Sequence, residues 1–286
     1  MRSELWGAIG ALIWGATLTL GCGGGAPTTR LAAQGEPREL PRSCRPWLWE
    51  TVDLSHPLRA EMTAGAEASF LKEVSRDFQA PGARRTHRLT LTEDIGTHID
   101  APHHASVQGV TLDRIPPSRW VAPVVLIDVR GRVKDDPDFV IEGREIVDWE
   151  AINGKLPLES VVVFLTGWQA RFQDPALYLG RDAQGILHHP GLSPAAAEYL
   201  RDSEVKAVGI DTANLDPGMR SERPAEAVLL GAGRYVIESL TQLDRLPETG
   251  ATIVVGTLPV VDGAGSPARV LALVPPSARE KEEAEP

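Results

Sequence analysis

Cysteine is nearly absent from this chain, which has only Cys22 and Cys44 in 286 residues. Two thiols are too few for a disulfide framework, and they disfavour a structural zinc site built on thiolates. The sequence also lacks an internal repeat, a phosphate-binding glycine loop and a Ser-His-Asp signature. It therefore gives no support to a repeat protein, a nucleotide-binding P-loop or a serine hydrolase.

Extended basic stretches are missing as well. The formal net charge is −10, and the densest basic patch is Arg84-Arg85 with Arg88 nearby, which we interpret as a solvated strand edge or loop. Nucleic acids and anionic membrane surfaces attract proteins with larger basic surfaces. We therefore expect no nucleic-acid partner and expect a small-molecule substrate instead.

The apolar stretch at residues 5–20 follows Arg2 and is shorter than the roughly 20 residues of a bilayer-spanning helix. Its length and position are typical of a signal peptide. It ends at Thr19-Leu20-Gly21-Cys22, which resembles a bacterial lipobox. We expect residues 1–22 to form this leader and Cys22 to carry a lipid. The alternative is ordinary cleavage before Cys22, followed by a disulfide between Cys22 and Cys44.

On this interpretation the protein is secreted or held at the cell envelope, on the periplasmic or extracellular face, and contacts the membrane only through its N-terminal lipid anchor. Residues 23–46, with several glycines and prolines, predict a flexible tether. The chain is 42% hydrophobic and 24% charged, which is enough apolar material for one catalytic domain, predicted at residues 47–277. Residues 278–286 predict a disordered acidic tail.

Short runs rich in valine, isoleucine and leucine predict buried strands. They occupy residues 121–129, 160–165, 205–210, 235–240, 251–255 and 269–274. Segments 143–152 and 194–202 have helical composition, and Ser193-Pro194 predicts an N-cap followed by proline at the first helical position. Periodicity alone therefore indicates a mixed α/β fold.

Residues 93–104 contain three histidines and three carboxylates within twelve positions. His98 and Asp100 are two apart, so in an extended strand their side chains leave the same face, and Pro102 predicts that the strand ends there. The chain has only seven histidines, so this density favours a shared ion over solvated surface residues. Imidazole and carboxylate donors suit zinc or manganese.

The same segment resembles the signature His-x-Gly-Thr-His-x-Asp-x-Pro-x-His of the metal-dependent cyclase-like hydrolases, the family of bacterial kynurenine formamidase and isatin hydrolase. The matching positions are Gly96, Thr97, His98, Asp100, Pro102 and His104. Further matches follow in the family's order at residues 53–58, 166–168, 190–193, 208–212 and 265–270. Several ordered motifs make this a specific match to the family, though not to one substrate.

The resemblance implies a fold and a metal centre. The fold is a central mixed β barrel-like core flanked by helices. The centre holds one or two divalent ions, zinc or manganese, with Asp94, His98 and Asp100 as ligands and His104 beside the metal as the general acid/base. Relatives commonly form dimers, so the resemblance also suggests a homodimer.

A later histidine and glutamate complete the centre in the family. The segment His188-His189-Pro190-Gly191, followed by Glu198, matches that region of the chain. We predict His188 and Glu198 as the remaining ligands. His188 is favoured over His189, because His189 stands where relatives usually carry an aromatic residue.

Two positions depart from the family's pattern. Asp94 replaces the first histidine of the signature, and Glu226 stands where many members have a histidine before the Leu-Leu-Gly stretch. Both changes replace a neutral nitrogen donor with an anionic oxygen, a harder ligand. Either the site is retuned or it has partly decayed.

The function expected from these residues is metal-dependent hydrolysis of a small cyclic or aryl amide or ester, with metal-activated water and a histidine that accepts and donates the proton. The alternative is a non-catalytic envelope lipoprotein that uses a decayed site to bind a metal or small ligand. Such a protein would keep the fold and lose turnover.

We also predict roles for Gly96 and Thr97, and we consider two alternatives each for Asp211 and Trp168. Gly96 is expected to take a positive φ or to let the backbone approach the ion, and Thr97 to hydrogen-bond a ligand carboxylate. Asp211 ends a predicted strand and is either functional or turn-forming. Trp168 either lines an aromatic substrate pocket or packs in the core.

Overall fold

The computed structural model describes residues 49–59, 69–79, 82–134 and 136–276. The predicted signal peptide, the lipobox with Cys22, the tether with Cys44 and the tail at residues 278–286 lie outside the described residues. All described residues belong to one compact unit of the chain. Within them, no helix has the length and apolar character needed to cross a membrane.

Twelve strands and six helices lie in the described ranges. The strands are β1 (Glu50–Asp53), β2 (Phe70–Arg76), β3 (Thr86–Leu91), β4 (His98–Asp100), β5 (Val121–Asp128), β6 (Val140–Ile141), β7 (Val161–Leu165), β8 (Gly191–Leu192), β9 (Ala207–Ile210), β10 (Tyr235–Glu238), β11 (Ala251–Thr257) and β12 (Gly265–Val274). The helices are α1 (Pro102–Ala105), α2 (Arg130–Val133), α3 (Gly143–Asn153), α4 (Pro175–Leu179), α5 (Pro194–Asp202) and α6 (Pro224–Gly231).

Seven strands close into a barrel in the order β12, β11, β5, β7, β9, β10 and β4, with β4 pairing back onto β12. Strands β5, β7, β9 and β10 run parallel, whereas β11, β12 and β4 join their neighbours antiparallel. Strand β1 adds to the free part of β12. The predicted mixed barrel-like core with flanking helices is confirmed.

The barrel strands are buried on both faces, which explains their continuous apolar runs. Along β5 and β7, Val124 and Val161 belong to one buried cluster that all seven barrel strands share. Their neighbours Val125 and Val162 belong to a second cluster, together with residues of α3, α4, α5 and α6. Alternate side chains therefore fill the barrel and anchor the helices outside it.

The predicted helix at residues 194–202 is observed as α5. Ser193 caps it, since its Oγ accepts the amide N–H of Ala196 at 3.1 Å, and Pro194 takes the first helical position. Helix α3 begins with a capping box in which Glu142 and Glu145 bond each other's backbone N–H groups. Local capping chemistry correctly predicted the start of α5, and it explains the start of α3.

Strands β2 and β3 form a separate two-stranded sheet. Most of its residues are exposed, including Leu71, Val74 and Leu89, which are 54%, 55% and 54% exposed. Phe70 and Leu91, paired at one end, pack against the outer core cluster. A two-stranded sheet is marginally stable when surrounded by water.

Candidate metal centre

Strands β4 and β10 bring three potential metal ligands together. His98 and Asp100 lie on one face of β4, and the antiparallel register places Glu238 of β10 directly opposite His98. Ile99 between them points into the barrel cluster. His98, Asp100 and Glu238 are therefore on the outer face of the barrel, and all three are buried.

The His98 ring is oriented by a hydrogen bond to the backbone just before β4. Its Nδ1 lies 2.8 Å from the carbonyl oxygen of Gly96, so Nδ1–H donates to that oxygen and Nε2 faces the neighbouring carboxylates. Nε2 lies 3.4 Å from Glu238 Oε2 and 3.9 Å from Asp100 Oδ2. The predicted positive φ at Gly96 is confirmed at +67°, a value that favours glycine.

Helix α1 follows β4 after one residue and brings in His104. Its Nδ1 lies 3.8 Å from Asp100 Oδ1, and its Nε2 lies 3.7 Å from Glu226 Oε1 on α6. Unlike the three residues above, the His104 side chain is 36% exposed. Arg223 closes this side, with Nη1 at 3.4 Å from Glu226 Oε2.

Burial and neighbouring charges shift the pKa values of the residues in this region. Burial raises the pKa of Asp100 to about 6, against the effect of His98. Burial, together with Glu238 and Asp100, raises the pKa of Glu226 to about 8. For His98, burial disfavours the charged ring, but Asp100 and Glu238 outweigh it and raise the pKa to about 9. Three buried carboxyl groups, those of Asp100, Glu226 and Glu238, thus lie close enough to repel one another when they are ionised.

These residues fit a divalent metal. Within the described part of the chain, His98, Asp100 and Glu238 form one group whose ligand atoms lie within 4.8 Å of one another, and Asp100, His104 and Glu226 form another. Asp100 Oδ2 is buried and has no hydrogen-bond partner. A cation between the groups would give that oxygen a partner and offset the carboxylate repulsion. Nitrogen and oxygen donors suit zinc or manganese.

Three predicted ligands are not brought to these groups. Asp94 is partly buried and belongs to neither group among the described residues. His188 is engaged elsewhere, since its Nδ1 lies 2.9 Å from Asp138 Oδ1 and its Nε2 lies 3.4 Å from Asp182 Oδ2. Glu198 lies on the exposed face of α5.

His189, the neighbour of His188, is buried like the residues of the metal centre. His189 is completely buried, its Nδ1 lies 3.1 Å from the Pro190 carbonyl oxygen, and its Nε2 has no hydrogen-bond partner. Burial lowers the pKa of His189, and the charge of Glu238 acts on the ring in the opposite direction. Like His188, it stands outside both groups that the described residues form.

Sequence reasoning missed Glu238. The signal was present, because Glu238 is a charged residue inside the run 235–240 that was predicted to be a buried strand. A carboxylate in such a run needs a partner, since few charged side chains are fully buried without one. Glu226 was noted as a departure, and the structure places it beside His104.

Three further residues prove structural. Thr97 Oγ1 donates to the Ser239 carbonyl at 2.6 Å and accepts the His56 amide at 2.9 Å, so it bonds backbone and not a ligand carboxylate. Trp168 is buried in the outer core cluster, and its Nε1 donates to the Tyr178 carbonyl at 2.7 Å. Asp211 holds the turn after β7 through bonds to residues 166–169.

A profile of the putative cyclase family matches residues 52–217, which is more than half of the chain. The chain belongs to this family. Isatin hydrolase of Roseibium aggregatum is 37% identical over 196 residues, covering 65% of this chain and 74% of that protein. A kynurenine formamidase of Bacillus cereus is 25% identical over 228 residues, covering 78% and 96%.

Solved structures agree with these relatives. Isatin hydrolase A from Labrenzia aggregata, bound to benzyl benzoate, matches with a TM-score of 0.74 and 32% identity over 79% of this chain and 94% of that one. An isatin hydrolase bound to the product analogue thioisatinate matches with a TM-score of 0.74 and 31% identity, over 79% and 93%. The resemblance to the family and the hydrolase class, acting on carbon–nitrogen bonds other than peptide bonds, are confirmed. A non-catalytic protein is not favoured.

Proposed function

We propose that this protein hydrolyses a small cyclic or aryl amide, such as an isatin-like lactam or a formyl-aryl amide. The observation that carries the proposal is the buried group of His98, Asp100 and Glu238 with the partly exposed ring of His104 next to it. The relatives named isatin hydrolase and kynurenine formamidase support the substrate class.

His98, Asp100 and Glu238 would hold the metal, which we propose to be zinc or manganese. When bound, a divalent ion polarises a carbonyl oxygen and lowers the pKa of water to about 7. Because Asp100 belongs to both groups of ligand atoms, its two oxygens face different sides of the centre. The chain therefore has donors for one ion or for two.

His104 is the proton carrier. Its ring lies between Asp100 and Glu226, and it is exposed enough to meet a substrate. It would take a proton from the attacking water and return it to the leaving nitrogen. The carboxyl groups of Asp100 and Glu226 lie on either side of the ring and hold it in this position.

Metal content measured by elemental mass spectrometry tests the centre. The protein is purified without a metal-affinity tag, as wild type, as the double variant His98→Ala with Asp100→Ala, and as Glu238→Gln. We expect stoichiometric zinc or manganese in wild type, none in the double variant and reduced occupancy in Glu238→Gln. Turnover is then screened with isatin-like lactams, lactones and formyl-aryl amides. A wild-type protein that binds neither metal after soaking contradicts the proposal.

Glu145→Gln is the matched control for Glu238→Gln. Glu145 is also a buried glutamate, but it bonds the start of α3 and pairs with Arg132. The same loss of one buried negative charge there should leave the metal content unchanged. Equal losses in the two variants would mean that general destabilisation causes the effect.

We propose that the protein is a lipoprotein of the cell envelope, anchored at Cys22 and facing the periplasm or the exterior. The support is the sequence of residues 1–22. Metabolic labelling with a palmitate analogue should mark wild type and leave Cys22→Ala unmarked. Equal labelling of the two proteins contradicts the anchor.

We further propose a homodimer formed through the sheet of β2 and β3. The exposed Val74 and Leu89 lie on one face of this sheet, which has two strands in the part of the chain that the structure describes. Light scattering after size exclusion should give a dimer for wild type and a monomer for Val74→Glu with Leu89→Glu. Val107→Glu, at a side chain 84% exposed and outside this sheet, is the control.

A further inference from the structure

Arg223 contacts the metal centre and has no step in the proposed reaction. It is the N-cap residue of α6, but its side chain makes no capping hydrogen bond. Its Nη1 instead lies 3.4 Å from Oε2 of Glu226, in the first turn of the same helix. The Arg223 side chain is 43% exposed, whereas the Glu226 side chain is 3% exposed. The guanidinium group therefore approaches the centre from its solvent side.

The positive charge of Arg223 acts on all three carboxylates of the centre. Burial disfavours the charged guanidinium, but Glu238, Glu226 and Asp100 outweigh it and raise the pKa of Arg223. Burial raises the pKa of Asp100 and of Glu226, and the charge of Arg223 acts on both in the opposite direction. An arginine side chain stays protonated in proteins. Arg223 is therefore a permanent cation beside these carboxylates.

Arg223 compensates for the charge of Glu226, which stands where many members of the family have a neutral histidine. A glutamate at this buried position adds a negative charge to a centre that already contains Asp100 and Glu238. A buried charge without a partner is strongly destabilising. Arg223 and Glu226 together carry no net charge, as a neutral histidine would. The pair thus preserves the charge balance of the centre.

The same pair affects what the ligand atoms of Asp100, His104 and Glu226, here called the second group, are able to bind. These atoms lie within 4.8 Å of one another. A divalent ion among them would lie close to the guanidinium, because Arg223 Nη1 is already 3.4 Å from a Glu226 oxygen. Two cations this close repel each other, and a buried space screens the repulsion weakly. The guanidinium and such an ion therefore compete for one carboxylate.

The ligand atoms of His98, Asp100 and Glu238, here called the first group, do not face this competition. Among the described residues, Arg223 forms its ion pair with Glu226 and none with a member of the first group. Asp100 Oδ2 lies 3.9 Å from His98 Nε2 and has no hydrogen-bond partner. An ion in the first group would give this oxygen a partner without displacing the guanidinium.

We propose that Arg223 takes the place of a second metal ion, so that the centre holds one divalent ion, in the first group. The inference rests on the proposed metal centre and decides the number of ions in it. Arg223 acts as a positioning residue, because it holds Glu226 in place and keeps a second ion out. Removing the guanidinium opens the second group to that ion.

The number of bound ions tests this role. Chelator-stripped protein is brought to equilibrium with Mn²⁺ by dialysis, and bound manganese is measured by elemental mass spectrometry. We expect one ion per chain in wild type and in Arg223→Lys, which keeps the charge, and two in Arg223→Gln. Electron paramagnetic resonance should show an isolated Mn²⁺ ion in the first two proteins and a coupled pair, bridged by the Asp100 carboxylate, in Arg223→Gln.

Two controls separate this role from a general loss of positive charge. Arg132→Gln also removes a guanidinium beside a buried glutamate, since Arg132 Nη2 lies 3.6 Å from Oε1 of Glu145 on α3. This variant should bind one ion. Arg223→Gln with Glu226→Gln should also bind one, because the second group then lacks a carboxylate ligand. A second ion in either control would overturn the inference.

Stability gives a second measurement on the same proteins. Arg223→Gln leaves the buried charge of Glu226 without its partner, so the metal-free variant should unfold at a lower temperature than wild type and regain stability with Mn²⁺. Arg223→Gln with Glu226→His covers the case in which the single variant does not fold. It removes the unpaired charge, offers a nitrogen ligand instead and should bind two ions.

Two ions in wild type or in Arg223→Lys would overturn the role of Arg223. One ion in Arg223→Gln would do the same, as would one ion in the Glu226→His double variant if the single variant does not fold. All of these results leave the metal centre itself in place. A wild type that binds no ion would overturn the proposed function and this inference with it, so the two failures give different ion counts.

Discussion

Two aspartates of this protein, Asp100 and Asp211, are both buried but differ in the number of hydrogen-bond donors around their carboxylates. Asp100 is 2% exposed and Asp211 is 0% exposed, and burial raises the pKa of both. Asp211 accepts hydrogen bonds from Thr166 N at 3.0 Å, Thr166 Oγ1 at 2.6 Å, Gly167 N at 2.9 Å and Gln169 N at 3.2 Å. Asp100 has an oxygen with no hydrogen-bond partner.

The difference separates a structural carboxylate from a functional one. The carboxylate of Asp211 accepts hydrogen bonds from four donors of one turn, and these bonds compensate for its burial without a cation. Asp100 faces two histidines and lies near two glutamates, an arrangement that costs free energy until a cation is present. Burial therefore does not identify the site, whereas a buried carboxylate without enough donors does.

The largest contrast is expected from the same substitution at both positions. Asp100→Asn should abolish metal binding and lower kcat/KM by more than the roughly 10- to 100-fold typical of outer ligand partners. It should also raise the thermal stability of the metal-free protein, because an uncompensated buried charge is removed. Metal analysis, kinetics and thermal unfolding with a chelator measure the three effects.

Asp211→Asn is the matched comparison for that experiment. It should keep the full metal content and lose stability, since an amide cannot accept from four donors. If both variants lost the metal to the same extent, the distinction between the two aspartates would fail.

A smaller effect, confined to turnover, is expected at His104. His104→Ala removes the proton carrier and should lower kcat about 100- to 10,000-fold while the metal stays bound. His103→Ala, next to it in α1 and outside both ligand groups, is the control. Retained turnover in His104→Ala, with metal present, would sink the role assigned to that ring.

Much of this arrangement is local and was predictable. The two-residue spacing of His98 and Asp100 predicted their shared face, and Pro102 predicted the end of β4, which the structure confirms. Ser193-Pro194 and the apolar runs placed α5 and the six long barrel strands to within a few residues. These signals depend on neighbours along the chain, so they survive without knowledge of the tertiary fold.

The remaining members of the centre are distant in sequence. Glu238 reaches His98 only because β10 pairs with β4 in one register as the barrel closes. A shift of one residue would turn Glu238 into the barrel. His188, chosen because its segment matches the region where the family has its later ligands, is instead held by Asp138 and Asp182. Spacing identifies candidate residues, whereas strand register decides which of them meet.

A third effect, on stability alone, is expected when Asp211 is removed entirely. Asp211→Ala leaves the buried donors of Thr166 and the partly buried N–H groups of Gly167 and Gln169 without an acceptor, which costs about 2 to 4 kcal/mol of unfolding free energy. Chemical denaturation measures the loss. Metal content measured well below the unfolding temperature should equal that of wild type, and a parallel loss of metal would contradict the purely structural role of this turn.

The smallest effect concerns His188, which was predicted as a metal ligand and instead pairs with Asp138 and Asp182. The carboxylates of Asp138 and Asp182 raise the pKa of the partly exposed His188 ring above its usual value near 6.5. A raised folded-state pKa contributes stability that is fully present below the unfolded value and is lost as pH rises through the folded one. Wild type should therefore lose a little thermal stability between pH 6 and a pH above that folded value, relative to His188→Gln, whose side chain does not titrate. Metal content should be the same in both proteins at each pH. A variant that loses its metal would return His188 to the centre, whereas identical pH profiles would show that the two carboxylates do not hold the ring.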